Sequence, residues 1–189
     1  MLRNRQLFIP STLAVRLREK PKLKKMTGLN ITIRRGQPSD LSELQQLFVD
    51  TIKTVCKADY SDQQINVWTS SIDNKQRWLD IIENQLLVVA QEKDKVVGFC
   101  SLDNYNYIDL LYVHKDYQRQ GIADKLYFEI EKEAIRNKGT VLLSDVSKTA
   151  RPYFEKKGFI VLKEQTNIRQ GIEIINYKMT KQLLTSYWQ

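Results

Sequence analysis

Gln118, Arg119, Gly121 and Ala123 stand where an apolar run gives way to a helical pattern. Ile108-Asp109-Leu110-Leu111-Tyr112-Val113-His114 leads into Lys115-Asp116-Tyr117, and then into Gln118-Arg119-Gln120-Gly121-Ile122-Ala123. The first turn of a helix has N–H groups without intrahelical acceptors and carries the positive end of the dipole, so this junction suits a phosphate. Gly121 has no side chain to hold a phosphate off the backbone. Ala123 is small for the same reason, and Arg119 adds a fixed positive charge. A plain helix start is the other reading of a single glycine. The two familiar nucleotide loops, GxxxxGK[ST] and GxGxxG, are both absent.

The remaining reactive side chains are few. His114 is the single histidine, and Cys56 and Cys100 are the two cysteines. They form no CxxC pair and offer no zinc ligand set, so no metal is expected. Both cysteines read as small buried hydrophobes of a reducing compartment.

The elements that must hold the loop follow from periodicity. Ile31 and Ile33 alternate with polar residues as a short strand. Pro38-Ser39-Asp40 opens a helix, with Asp40 and Glu43 in capping-box spacing and a stripe of Leu41, Leu44, Leu47, Phe48, Ile52 and Val55. Ser61 caps a second helix bearing Ile65 and Trp68, and a third piece carries Trp78, Ile81 and Ile82. Leu86–Glu92 and Val96–Leu102 flank a hairpin-sized gap, and Tyr107–His114 is a third run. A long helix over about Gln120–Asn137 carries Ile122, Leu126, Ile130 and Ala134 on one stripe and ends at Gly139. Val141–Val146, a short helix over Thr149–Lys157 closed by Gly158, and strands Phe159–Leu162 and Ile172–Met179 complete the chain. Hairpins alternating with crossover helices imply an α/β fold, a mixed sheet covered by helices.

Gln118-x-x-Gly121-x-Ala123 resembles the [Q/R]-x-x-G-x-[G/A] acyl-CoA loop of the GNAT N-acetyltransferase superfamily, and Leu111-Tyr112-Val113-His114 is similar to that family's fourth strand. Downstream, Ala150-Arg151-Pro152-Tyr153-Phe154-Glu155-Lys156-Lys157-Gly158-Phe159 resembles its second signature, A-x-x-F-Y-E-K-x-G-F, and Asn176-Tyr177-Lys178-Met179 its last strand. The resemblance runs from Ile31 to Leu184. The Ser147-x-x-Ala150-x-Pro152 pattern is most similar to a bacterial, YafP-type branch. The resemblance implies a mixed, mostly antiparallel sheet of about seven strands, splayed between the fourth and fifth and flanked by helices. It implies acetyl-CoA as co-substrate, its pantetheine alongside Leu111, Tyr112 and Val113 and its pyrophosphate on the amides of Gln118, Arg119, Gln120, Gly121, Ile122 and Ala123, with Ser147 and Phe154 beside it. Open strand edges pair with pantetheine amides and an amide nest takes pyrophosphate, so the division of labour is physically sound.

Acetyl transfer to an amine sets further requirements. Alkylamines have a pKa of about 10 and must lose a proton before attack. The tetrahedral oxyanion needs a donor, for which the resemblance offers a backbone N–H near Leu111–Val113. The departing thiolate gains from an acid, in this family usually a tyrosine. Aligned on Gly158, that slot holds Phe154, with Tyr153 one residue earlier. Tyr153 is therefore a candidate acid, Ser147 is another hydroxyl, and transfer without an acid is a third outcome. Asp109 and His114 are candidate bases, their alternatives being a surface or hydrogen-bonded strand carboxylate for Asp109 and a loop position near the cofactor's rim for His114. Tyr60, Trp68, Tyr105 and Tyr107 are candidates to line the acceptor pocket, their alternative being ordinary packing. The expected activity is direct transfer to a primary amine of a small molecule or protein. An acyl-CoA sensor without efficient transfer is the rival that Phe154 keeps open.

The chain has 189 residues and a net charge of +8. Residues 1–27 hold eight basic side chains against Glu19 alone, or +7. Residues 28–189 hold 22 basic and 21 acidic ones, or +1. The basicity thus belongs to an N-terminal arm, and residues 28–189 read as a single acetyltransferase domain. The arm carries Pro10 and Pro21 and lacks a clean period, so disorder is expected for it. It reads as a targeting segment, as a nucleic-acid or anionic-surface binder, or as an extension ahead of a start at Met26. Nucleic acid is not the expected partner of the body. The longest aliphatic run, Leu86–Ala90, falls far short of the roughly 20 residues of a spanning helix, so no membrane is expected either. The expectation is a cytoplasmic monomer or homodimer.

Overall fold

The computed structural model describes residues 30–183. Its order is β1 (Ile31–Arg35), α1 (Leu41–Val55), α2 (Asp62–Thr69), α3 (Lys75–Asn84), β2 (Leu86–Glu92), β3 (Lys95–Asp103), β4 (Tyr107–Val113), α4 (Ile122–Arg136), β5 (Val141–Ser147), α5 (Arg151–Lys156), β6 (Ile160–Arg169) and β7 (Ile172–Gln182). The strands form one seven-stranded sheet in the order β1-β2-β3-β4-β5-β7-β6. Every pairing is antiparallel except β4 with β5. This is the mixed, helix-flanked sheet expected from the sequence.

Each face of the sheet has its own core. Ile122, Leu126, Ile130 and Ala134, the predicted stripe of α4, are all buried on one face, with Phe154 and Phe159. Leu44, Leu47, Phe48 and Ile52 of α1 pack the other face with Ile65 of α2 and Trp78 of α3. Each such side chain contributes about 1.5–3 kcal/mol on burial. Gly98 of β3 sits under α4, where a Cβ would press on the Tyr112 carbonyl at 3.0 Å and on Ile122 at 3.1 Å. Close approach of α4 to the sheet therefore depends on that glycine.

Three local expectations are corrected. The capping box at the start of α1 lies between Gln37 and Asp40, around a 3-10 turn at Pro38–Asp40. Asp40 also takes both ends of the Arg34 guanidinium at 2.8 Å, while Glu43 accepts the Val96 N–H instead. At the end of α4 the left-handed residue is Lys138 (φ 61°), and Gly139 donates to Ala134 at 2.8 Å. The strand read as Phe159–Leu162 is the much longer β6, because its partner β7 continues the ladder through polar residues.

The feature that positions the site is a split in the sheet. β4 and β5 pair only at Tyr107–Leu143 and Ile108–Ser144. The Ser144 hydroxyl donates to the Ile108 carbonyl at 2.9 Å, a buried tie at the point of divergence. Immediately beyond, Ser101 faces Leu110 and Leu102 faces Ile108, leaving Asp109 as the extra residue of a bulge in β4. A bulged strand bends and twists more strongly, and β4 and β5 part from here.

Candidate active site

A cavity of about 800 Å³ fills the split. Leu111, Tyr112 and Val113 line it from β4, and Ser147 and Phe154 from β5 and α5. Gln118, Arg119, Gly121, Ile122 and Ala123 line it from the loop and the start of α4. The sequence-predicted cofactor residues therefore converge on one space, with Gln120 the exception.

The loop is built to leave its amides free. Gln118 Nε2 donates to the Val113 carbonyl at 3.3 Å, and Gln120 Nε2 to the Asp116 carbonyl at 3.1 Å, so both side chains brace the loop. Arg119 (φ 58°) and Gly121 (φ 79°) are left-handed. Among the described residues nothing accepts from the N–H groups of Gln118, Arg119 or Gly121, or from those of Ile122, Ala123 and Asp124 in the first turn of α4. A Cβ on Gly121 would meet no atom within 4 Å. The space above that backbone is open, as an anion on the amide nest requires.

Asp109 projects from the bulge into the cavity, with its side chain 12% exposed. Arg77 of α3 donates to Oδ1 at 2.9 Å, and Gln85 to Oδ2 at 3.1 Å. Asn74 caps α3 by accepting from the Arg77 N–H at 3.0 Å, which fixes the origin of that guanidinium. Neither partner was visible in the sequence, since Arg77 and Gln85 lie 32 and 24 residues away from Asp109.

Tyr153 and Phe154 divide as their spacing implies. Phe154 is 3% exposed and stacks edge-on against Phe159. Tyr153 is half-buried at the cavity wall, its hydroxyl 3.3 Å from Asp124. Burial, then the charge of Asp124, raises the phenol well above its ordinary value, so it stays protonated at neutral pH. Lys157 pairs with Asp124 at 2.5 Å, holding that carboxyl below the usual range, and lies 5.6 Å from the Tyr153 ring. Ser147 Oγ accepts the Ala150 N–H at 3.1 Å, which starts α5.

Other candidates are placed elsewhere. His114 is no cavity-lining base: its Nδ1 accepts the Asp116 N–H at 3.3 Å, and its Nε2 lies 3.2 Å from Lys95 Nζ. Burial, then Lys95, lowers its pKa and keeps it neutral. Tyr105 (47% exposed) and Tyr107 lie outside the cavity lining. Tyr60 is buried behind it, donating to the Ile175 carbonyl and accepting the Lys148 N–H, both at 2.8 Å. Burial pushes that phenol up to about 12. Trp68 does line the cavity, edge-on to Tyr60 with ring centroids 5.3 Å apart. Cys56, read from the sequence as a small buried hydrophobe, is buried and also lines the cavity; burial pushes its thiol up to about 11. Among the described residues no three His, Cys, Asp or Glu side chains group as a metal site.

Comparison with known proteins agrees with this geometry. The model of the acetyltransferase (GNAT) domain matches residues 56–181. The uncharacterised N-acetyltransferase YafP of Escherichia coli (strain K12) is 34% identical over 150 residues, 79% of this chain and 95% of that protein. The crystal structure of a GCN5-related N-acetyltransferase from Rhodopseudomonas palustris superposes with a TM-score of 0.77 at 31% identity, covering 80% of this chain and 95% of that one. The PaiA N-acetyltransferase of Thermoplasma acidophilum, solved in complex with coenzyme A, shares the fold at 19% identity with a TM-score of 0.64, covering 80% of this chain and 98% of that one. Matched by the domain model over most of its length and closely akin in sequence to an N-acetyltransferase, the chain belongs to the GNAT family of acetyltransferases.

Proposed function

We propose that the cleft binds acetyl-CoA and passes its acetyl group directly to a primary amine. The observation that carries this is the run of unused N–H groups from Gln118 to Asp124, opening onto the split between β4 and β5. In this reading they and Arg119 hold the pyrophosphate, and the pantetheine lies along the free edge of Leu111–Val113. Asp109 takes a proton from the ammonium, directly or through one water. The freed lone pair forms the C–N bond at the thioester carbonyl carbon, and a β4 N–H supports the oxyanion. The C–S bond then breaks with its electrons on sulfur, Tyr153 protonates the thiolate, and the nitrogen sheds its second proton to solvent. The products are the amide, the free thiol and one proton, with the phenol recharged from solvent. Cys56 is a poor rival nucleophile, because the thiolate is the reactive form and burial raises its cost.

Millimolar acetyl-CoA should raise the melting temperature of the protein by mass action. Gly121→Glu, which sets a carboxylate against the phosphates, should abolish the rise while leaving the unliganded protein folded. An unchanged wild-type melting curve would overturn the reading. A rise without thiol release for any amine would replace it with an acyl-CoA sensor.

A further inference from the structure

We propose that the acceptor is a small primary amine with a flat, apolar body. The proposal rests on the acetyl-transfer reading above and concerns the other side of the same split. Side chains alternate along β4. Leu111 and Val113 pack towards α4 and the phosphate loop, while Leu110 and Tyr112 pack towards α1 and α3. A thioester held along the Leu111–Val113 edge therefore presents its carbonyl to the space beside Tyr112, where the amine must arrive.

That space is walled by Val55, Cys56, Trp68 and Tyr112. Tyr112 is fixed between Phe48 and Phe99, with centroids 4.9 and 5.6 Å away, so its ring is a rigid surface. Trp68 is held edge-on by Tyr60. Two fixed aromatic rings and two small apolar side chains offer a flat body dispersion and desolvation.

Charge on this side of the split is mixed. Arg77 balances Asp109 at 2.9 Å, Lys148 lies 5.8 Å from the Tyr60 ring, and Asp145 lines the same cavity.

The roof excludes a folded protein surface. Four links cross from the α1–α2 region to the far side of the split. Two are the Tyr60 bonds to Ile175 and Lys148. The others are Gln64 to the Glu173 carbonyl at 2.8 Å and Thr149 to Asp59 at 2.6 Å. Gln170, at the tip of the β6–β7 hairpin, donates to Ser70 at 3.1 Å. An extended main chain has no open trough to lie in across this bridge.

The test is thiol release from acetyl-CoA by the full chain with phenethylamine, spermidine, glucosamine and a short peptide with a free N-terminus. Phenethylamine should exceed each of the others by about tenfold or more in kcat/KM. Trp68→Ala should raise the KM for phenethylamine about tenfold while leaving the KM for acetyl-CoA within about twofold. Trp68→Phe, which retains an aromatic face, should restore most of the loss. Preference for spermidine, glucosamine or the peptide overturns the acceptor proposal and leaves acetyl transfer standing. No release with any of the four overturns the acceptor proposal, and the melting shift with acetyl-CoA then decides the transfer reading separately.

Discussion

Asp109 shows how a residue gains its role from neighbours the sequence does not announce. Its place on the strand was readable, because the apolar run around it was continuous. Its position as the extra residue of a bulge, with one oxygen on Arg77 and the other on Gln85, was not, since both contacts close over long loops. The Gln118–Ala123 loop was the opposite case, its signal being contiguous and its free N–H groups those of the backbone. His114 takes the loop role that its place at the strand exit also allowed, its ring capping a turn. Asp109→Asn should lower kcat by roughly 10²–10⁴-fold while the melting shift with acetyl-CoA persists, because a general base acts on the amine and not on the cofactor. Arg77→Gln should lower kcat less, and in the double variant its effect should largely vanish, because it acts through Asp109. Additive losses in steady-state kinetics would mean that Arg77 holds α3 and does not position the carboxylate. Gly121→Ala, at φ 79° with open space above it, should cost only the left-handed backbone penalty of about 1–2 kcal/mol in denaturant unfolding.

Elements were read well where one period ran unbroken and poorly where polar residues carried the structure. The α4 stripe is buried as the pattern required. β6 was cut short because its pairing with β7 rests on backbone hydrogen bonds under exposed side chains, which leave no alternation to read. The entry to α1 was assigned to the wrong box because Arg34, on the preceding strand, claims Asp40. That ion pair ties β1 to the helix start. The Arg34 hydrogen bond is the largest cause holding the Asp40 carboxyl below its ordinary value. A carboxylate whose folded pKa is depressed adds stability above its unfolded pKa of about 3.9, and that stability fades as pH falls through the lower folded value. Asp40→Asn should therefore cost about 1–3 kcal/mol near neutrality, measured by denaturant unfolding, and the gap should narrow as pH falls below about 4 and close below the folded pKa. A gap that persisted at pH 2 would mean that Asp40 serves through the helix-entry geometry alone.

At the scale of the molecule, the sheet is two pieces joined at two residue pairs, and the candidate active site is the gap where the joint ends. The element order foretold a mixed sheet, because a parallel pair between two antiparallel sets requires a crossover helix, here α4, while the splay between the fourth and fifth strands was implied by the family resemblance. The links that rejoin the halves above the gap were unreadable, being made by Tyr60 and Gln64 to backbone carbonyls over a hundred residues away. Charge separates by position in the same way. Residues 28–189 carry a net +1, and the +7 belongs to residues 1–27, which lie outside the described residues. We propose that the two are functionally independent. A chain lacking residues 1–27 should keep the melting shift with acetyl-CoA and a KM for it within about twofold of the full chain. It should lose most of any salt-dependent retention on immobilised DNA, because counterion release scales with the number of phosphate contacts made by Lys and Arg. Retention with an unchanged salt slope would place the polyanion contacts on the body instead, and a KM raised well beyond that margin would make the arm part of the acetyl-CoA site.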